Sequence, residues 1–356
     1  MSKESIELLQ DLVRCPTGSG QGIGEVLDRV LNRFDGPGWR VHVDGHARFA
    51  LVAPEAGAEL LFACHADTVP FQADDWSHHP LAADLVEDRI IGRGTADMKS
   101  GLAAAVSALL AEGPRRAGLL ITDEEEVGCL GARAALPTVS DQPVRAVLIP
   151  EPTGNRICIG HRGAMTLETS TSGRAAHASA PHLGENAISW LTQVLVRLDQ
   201  HDPPVADHPL GPFTHAITQI AGGTGRNVVP DRARATVDVR YREGDEADAF
   251  LDFVDGLGAR AEVVARLAPV HTSVLDPWVQ SLIRDATQTG VAPFFTDGSV
   301  LGEVGDFPIV IAGPGESSAA HVVDESVAVA QVHEAGVFYR SVIRGWAGAG
   351  VGEDGH

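Results

Sequence analysis

Between about residues 40 and 160 the chain alternates short apolar runs with a helical stretch, and the runs break off into carboxylates or imidazole. LLFACHAD (60–67) ends in His65 and Asp67, RRAGLLITDEEE (115–126) in three consecutive glutamates, and RAVLIPEP (145–152) carries Glu151. Between the first two lies SGLAAAVSALLAEG (100–113), rich in Ala and Leu, opened by Ser and closed by Gly, which predicts a helix. Strand, helix, strand, strand implies an α/β domain with a largely parallel sheet. Open sheets of that kind place their ligands at the carboxyl ends of strands, where these polar residues fall.

The rhythm changes between about 163 and 270. AMTLETSTSG alternates like a half-exposed strand, ENAISWLTQVLVRLDQ predicts a helix, RARATVDVRYREG a strand, ADAFLDFVDGLG a helix and RAEVVARLAP a strand. After Asp276-Pro277 the chain returns to a helix (WVQSLIRDATQ) and the strand FPIVIAGPG. A small α+β module over 163–270 is therefore read as an insertion into one catalytic domain made of 1–162 and 271–346. Residues 347–356 form a Gly-rich tail expected to fray. A length of 356 residues suits two domains. The N-terminal MSKESIELLQDLVRCP predicts an amphipathic helix through Ile6, Leu9 and Val13 and lacks the features of a secretory signal.

Charge narrows the partners. With 27 Lys+Arg against 48 Asp+Glu the formal charge is -21, a surface that repels nucleic-acid backbones and anionic membranes. No window approaches 18 uninterrupted apolar residues, so no membrane span is expected. Cys15, Cys64, Cys129 and Cys158 are scattered without a Cys-x-x-Cys pair, which favours buried free thiols in a reducing cytoplasm over disulfides.

The candidate ligands, in order, are His65, Asp67, Asp97 in GRGTADMKSG, the Glu124–Glu126 run, Glu151, and His321 in GPGESSAAHVVDE. Each alone has an ordinary explanation: a structural histidine, a solvated glutamate run, a turn aspartate. Their gathering at the strand ends of one domain changes the reading. Clustered carboxylates with no basic partner nearby in sequence would repel one another, and a dication removes that conflict.

Five ordered motifs carry a resemblance over nearly the whole chain: His65-Ala66-Asp67-Thr68-Val69-Pro70, Gly92-Arg93-Gly94-Thr95-Ala96-Asp97-Met98-Lys99, Glu125-Glu126-Val127-Gly128, Glu151-Pro152-Thr153, and Gly313-Pro314-Gly315 followed by His321. The chain resembles the family of acetylornithine deacetylases, succinyl-diaminopimelate desuccinylases and glutamate carboxypeptidases, which are dinuclear zinc hydrolases. The resemblance implies a zinc-exopeptidase-like α/β catalytic domain interrupted by a smaller, ferredoxin-like α+β domain for dimerisation or as a lid. It implies that Asp97 bridges two zinc ions, with a cis peptide to Met98. His65 and Glu151 then complete one site, and Glu126 and His321 the other. Asp67 would accept a hydrogen bond from His65, and Glu125 would be the general base. Anchoring on Val127-Gly128 gives that register; anchoring on Asp123 would shift base and ligand back by one, to Glu124 and Glu125. In the inserted module the resemblance implies that His177 reaches a neighbouring subunit's site, and that Asn227 and Arg240 grip the substrate. For Arg240 a salt bridge on a strand face is the competing reading. His161 and Arg162 are weaker candidates.

Two metals sharing a ligand lower the pKa of a bridging water from about 15.7 toward about 7, and Glu125 could take its proton. No G-x-S-x-G nucleophile motif, dinucleotide fingerprint or phosphate loop is present. Imidazole and carboxylate ligands accept zinc, cobalt or manganese. EPTGNRICIGHRG and GCLGAR look closest to the acetylornithine and acetylcitrulline deacetylase branch. The expectation is therefore a cytoplasmic, homodimeric deacetylase of small N-acyl amino acids. The alternatives are a dipeptidase or carboxypeptidase, a desuccinylase or carrier-linked lysine/ornithine hydrolase with the same site, and a non-catalytic binding protein. The last would require a missing ligand or base, and all six positions are filled.

Overall fold

A computed structural model describes residues 2–18, 20–201, 207–283 and 289–349. The chain divides into two compact units, one running to His161 and resuming at Val270, the other spanning Arg162–Pro269.

The larger unit is built on a nine-stranded sheet. Its spatial order is Trp39–Val43, Phe49–Pro54, Ala117–Thr122, Leu60–His65, Ala146–Pro152, Ile309–Gly313, Ile157–His161 and Val270–His271, with Thr289–Ala292 also pairing Ile157–His161. Ala117–Thr122, Leu60–His65, Ala146–Pro152 and Ile309–Gly313 run parallel to one another. All four are buried along their full length, which is why they read as unbroken apolar runs rather than alternating ones. The α/β expectation holds, with one refinement. The sheet is parallel at its centre, antiparallel at one edge, where Trp39–Val43 and Phe49–Pro54 pair with each other and Phe49–Pro54 pairs with Ala117–Thr122, and mixed at the other, where Ile157–His161 pairs antiparallel with Val270–His271 and parallel with Thr289–Ala292.

Helices Ser2–Arg14, Ser100–Glu112 and Val329–Ala349 pack together. Leu8, Leu9 and Leu12 share one buried cluster with Leu102, Val106, Leu109, Val332 and Tyr339. Ser100–Glu112 lies hard against the strand that delivers Glu151: a Cβ on Gly101 would stand 2.0 Å from the Pro150 carbonyl oxygen. Tyr339 donates to the Ala312 carbonyl at 2.7 Å, tying the last helix to the Ile309–Gly313 strand.

The smaller unit has the order strand Gly163–Ser172, helix Ala187–Asp199, strands Thr214–Gly222 and Arg232–Tyr241, helix Gly244–Gly256 and strand Arg260–Leu267. Its four-stranded antiparallel sheet places Thr214–Gly222 at one edge, then Arg232–Tyr241, Gly163–Ser172 and Arg260–Leu267. This is the ferredoxin-like pattern. Met165, Leu167, Val237 and Val239 alternate inward and pack on Val194, Leu198, Phe250 and Val254 of the two helices.

Some expectations are corrected. The Thr214–Gly222 strand was not anticipated, because it is exposed over most of its length and carries no apolar stripe. The helix expected over WVQSLIRDATQ is the short Pro277–Leu282, and residues 284–288 lie outside the described residues. The tail expected to fray from 347 is helical as far as Ala349, and residues 350–356 lie outside the described residues. No helix among the described residues is long and apolar enough to cross a membrane. The four cysteines are free and buried.

Candidate metal centre

The centre forms where parallel strands end side by side. His65 closes the strand Leu60–His65, and its neighbour Ala146–Pro152 carries Glu151 near its end. His65 Nε2 lies 2.9 Å from Asp97 Oδ1 and 3.4 Å from Glu151 Oε1, and the two outer side chains are only 2% and 4% exposed. On the other side, His321 Nε2 lies 3.1 Å from Asp97 Oδ2 and 3.0 Å from Glu126 Oε1. The His321 side chain is 49% exposed. One carboxylate thus turns a different oxygen to each of two imidazoles, and each imidazole is backed by a second carboxylate.

Local sequence sets this up. Gly94 begins the turn to Asp97 in the left-handed region (φ 83), and a Cβ there would meet Thr68 Cγ2 at 2.8 Å. The Asp97–Met98 peptide is cis. The backbone N–H groups of Glu125 and Glu126 donate to the two carboxylate oxygens of Asp67, each at 3.2 Å. That pair of bonds fixes the glutamate run so that Glu126 faces His321. Glu124 takes a left-handed φ of 58, which turns the chain ahead of them. Of the three glutamates, Glu126 is the one whose carboxylate meets His321, the position that anchoring on Val127-Gly128 assigns to a ligand.

Asp67 meets His65 chiefly through its backbone. His65 Nδ1 sits 3.0 Å from the backbone carbonyl of Asp67 and 3.5 Å from its carboxylate, whose oxygens are occupied by the two amides. The carbonyl orients the ring, and the carboxylate orients the loop.

Burial pushes the Glu125 and Glu151 carboxyls well above the usual range. At Asp97 burial acts upward too, but the hydrogen bonds from His321 and His65 outweigh it and hold the group well below its ordinary value. His321 is raised to about 10, chiefly by its hydrogen bonds to Asp97 and Glu126. At His65 burial opposes the charge, yet Glu151, Asp67 and Asp97 together raise it well above the ordinary imidazole range. Three carboxylates and two imidazoles packed this closely call for positive charge between them. Ligand atoms of His65, Asp97 and Glu126 lie within 4.8 Å of one another. Oxygen and imidazole nitrogen donors in two groups that share Asp97 fit a pair of divalent cations of the zinc, cobalt or manganese type.

The structure also brings in residues that sequence reasoning missed. Glu325 and Arg93 form a buried ion pair beside Asp97. Asp297 is buried, accepts from Thr122 Oγ1, and is raised to about 6 by burial. Asp297 was not among the expected site residues. Arg93 lay inside a quoted motif, but nothing local marked Glu325.

In the smaller unit His177 and Asn227 lie together. Ala176–His177 pairs with Val228–Val229, and the Asn227 carbonyl accepts from Ala178 N–H at 2.9 Å. His177 is exposed, with Nδ1 2.7 Å from Ser179 Oγ. Arg240 forms a two-pronged pair with Asp238, at 2.8 and 3.1 Å, the strand-face salt bridge named as its competing reading. Arg162 donates to the Pro212 carbonyl and Thr214 Oγ1. Burial and the nearby charge of Arg240 lower its pKa, so two guanidiniums share this face. His161 belongs to the larger unit, where its Nε2 is 3.0 Å from Thr296 Oγ1.

The model of peptidase family M20/M25/M40 matches residues 61–345. A succinyl-diaminopimelate desuccinylase of Rhodospirillum centenum is 30% identical, over 98% of this chain and 99% of that protein. One of Parvibaculum lavamentivorans is also 30% identical, over 96% and 95%. These relatives bear the name of a branch that the motifs ranked below the acetylornithine deacetylases. Among solved structures, an M20 family metallo-carboxypeptidase of Sulfolobus solfataricus superposes with a TM-score of 0.79 at 18% identity, over 97% of this chain and 99% of that one. A dinuclear metal binding M20 peptidase of Bacillus subtilis superposes with a TM-score of 0.72 at 16% identity, over 98% of each chain. At these identities the likeness is one of fold.

Proposed function

Because the chain belongs to peptidase family M20/M25/M40 and is a hydrolase of amide bonds, we propose that it removes the succinyl group from the nitrogen of a diaminopimelate-type amino acid. The observation that carries the chemistry is the split of Asp97 between His65 and His321, each with its own second carboxylate. His65, Glu151, Asp97, Glu126 and His321 would hold two divalent cations, which when bound would supply Lewis acidity for a water and for the amide carbonyl.

The remaining work falls to the chain's own groups. Glu125, whose pKa burial raises, takes a proton from the attacking water at its carboxylate and returns it to the departing amine nitrogen. Asp67 holds the peptide of that base in place through both carboxylate oxygens. Support for the succinyl substrate comes from the two relatives' names and from the smaller unit. A succinylated diaminopimelate carries several carboxylates, and a chain with net charge -21 needs local cations to receive them. Arg162 and Arg240 provide such a pair, and guanidinium suits carboxylate in a way lysine does not. Acetylornithine has one carboxylate and a cationic side chain, which makes less use of two arginines.

The same reading makes the protein a cytoplasmic homodimer. The four buried free thiols suit a reducing compartment. The exposed edge strand Thr214–Gly222, with Ile220 in it and Ile188 and Trp190 exposed on the neighbouring helix, is a surface on which a second copy could pair. His177 would then serve the partner's site.

The test is a panel of N-succinyl-diaminopimelate, N-acetylornithine, N-acetylcitrulline and dipeptides offered to zinc- or cobalt-loaded protein. Succinyl-diaminopimelate should show the highest kcat/KM. A higher value for an acetylated monoacid or a dipeptide would replace this substrate assignment and leave the metal centre standing.

A further inference from the structure

The shared carboxylate of Asp97 sits on a loop whose backbone is answered from far along the chain. The N–H groups of Ala96 and Asp97 both donate to Glu325 Oε1, at 2.8 and 3.0 Å. Arg93 Nη1 donates to Glu325 Oε2 at 2.6 Å, and Gly92 N–H donates to the Glu325 carbonyl at 2.9 Å. Glu325 is 1% exposed and Arg93 4%, with the guanidinium 5.1 Å from the Trp76 ring centroid. Four residues before Glu325, the same segment supplies His321 to Asp97 Oδ2.

A further buried carboxylate beside Asp97 works against an anionic loop unless it is neutralised. Arg93 does that, so the three ligand carboxylates keep their own charge for cations. What the arrangement gains is rigidity. A charged acceptor holds two adjacent amides more strongly than a neutral one, and those amides fix where Asp97 starts. A carboxylate that must face two cations with two different oxygens tolerates little rotation.

We propose that Glu325, neutralised by Arg93, is a positioning residue for the metal centre. It anchors the Asp97 loop so that Oδ1 and Oδ2 are aimed at both sites. Because it shares a segment with His321, it ties the seating of that ligand to the seating of the loop. This role rests on the metal-centre reading above and adds to it.

The experiment is calorimetric titration of chelator-stripped, full-length protein with zinc, alongside visible absorption of the cobalt-loaded form. The proteins are wild type, Glu325→Gln, Arg93→Lys and the double variant Arg93→Met/Glu325→Gln. In Glu325→Gln the amide oxygen can still accept both backbone N–H groups, but its NH2 faces the donors of Arg93. Both cations should bind about 10- to 100-fold more weakly, with a shifted cobalt spectrum. The double variant, free of the donor–donor clash, should regain much of the loss. Arg93→Lys keeps the charge and should lose less in the same direction; it carries the test if Glu325→Gln does not fold. Wild-type affinities and spectrum in a folded Glu325→Gln or Arg93→Lys protein would overturn the proposal, as would a loss confined to one site. If wild-type protein bound no cation, the centre itself would fall, a result distinct from an intact centre indifferent to Glu325.

Discussion

In the larger unit the charged groups at the centre are mostly buried and answered from several elements at once. In the smaller unit the candidate binding groups lie nearer the surface and lean on neighbours close in sequence. His65, Glu151, Arg93 and Glu325 are all buried, and their partners come from strands and loops far apart in the chain. Arg240 pairs with Asp238 two residues away, and His177 with Ser179 two residues away. The first arrangement is fixed by the fold before any ligand arrives, as a reacting centre requires. The second can exchange one partner for another, as a group that binds and releases substrate must.

The hardest way to break this contrast is Asp97→Asn. An amide offers one oxygen where the carboxylate offers two, so turnover should fall to background and bound metal, measured by elemental analysis, should fall below two per chain. Retention of both metals and activity would mean that the buried centre is less rigid than its geometry. Next in size, Glu125→Gln should lower kcat by about 10²- to 10⁴-fold while metal content stays at the wild-type level. That separates proton transfer from ligation inside the same buried cluster.

The smaller unit should respond differently. Loss of a charge-assisted hydrogen bond costs about 1.5–3 kcal/mol. Arg162→Ala and Arg240→Ala should therefore raise KM for the succinylated substrate by about 10- to 100-fold, with kcat little changed. Asp238→Asn, which loosens Arg240 from its present partner, should lower KM; equal effects on kcat and KM would blur the division between the units.

The smallest effect concerns stability alone. Glu112 accepts hydrogen bonds from Arg344 and Arg340, which together lower its carboxyl to about 2. A carboxyl depressed below its unfolded value of about 4.3 adds stability above that pH and loses it as pH falls toward 2. Arg344 is 58% exposed, so the contribution should stay under about 1 kcal/mol. Thermal unfolding of Glu112→Gln should show a shallower loss of stability between pH 5 and pH 3 than wild type, in steps of about 0.5 pH unit.

The legible part of the molecule follows the same division of physics. Fully buried parallel strands must be apolar and must end in whatever the fold exposes at their carboxyl ends, so His65, the Glu124–Glu126 run and Glu151 announced themselves. The inward alternation of Gly163–Ser172 and Arg232–Tyr241 marked the smaller sheet. Thr214–Gly222 went unseen because an exposed edge strand need satisfy neither pattern. Glu325 went unseen for another reason. Its meaning lies in amides more than 200 residues earlier, and no local spacing encodes a contact across that distance. The sequence marked Asp67 as a partner of His65; that the nearer acceptor is its backbone carbonyl, with the carboxylate turned to two amides, depends on how the loop folds.

The place of the Ile309–Gly313 strand bears on how the protein is made. It lies between Ala146–Pro152 and Ile157–His161, strands translated some 150 residues before it. A nascent chain that has emerged through the inserted unit holds four of the five candidate ligands and a gap in the middle of its sheet. His321 follows only after that gap is filled. Synthesis thus withholds a complete centre until the chain has passed His321, and the growing chain meets the cell's other amides before it has assembled the means to cut them.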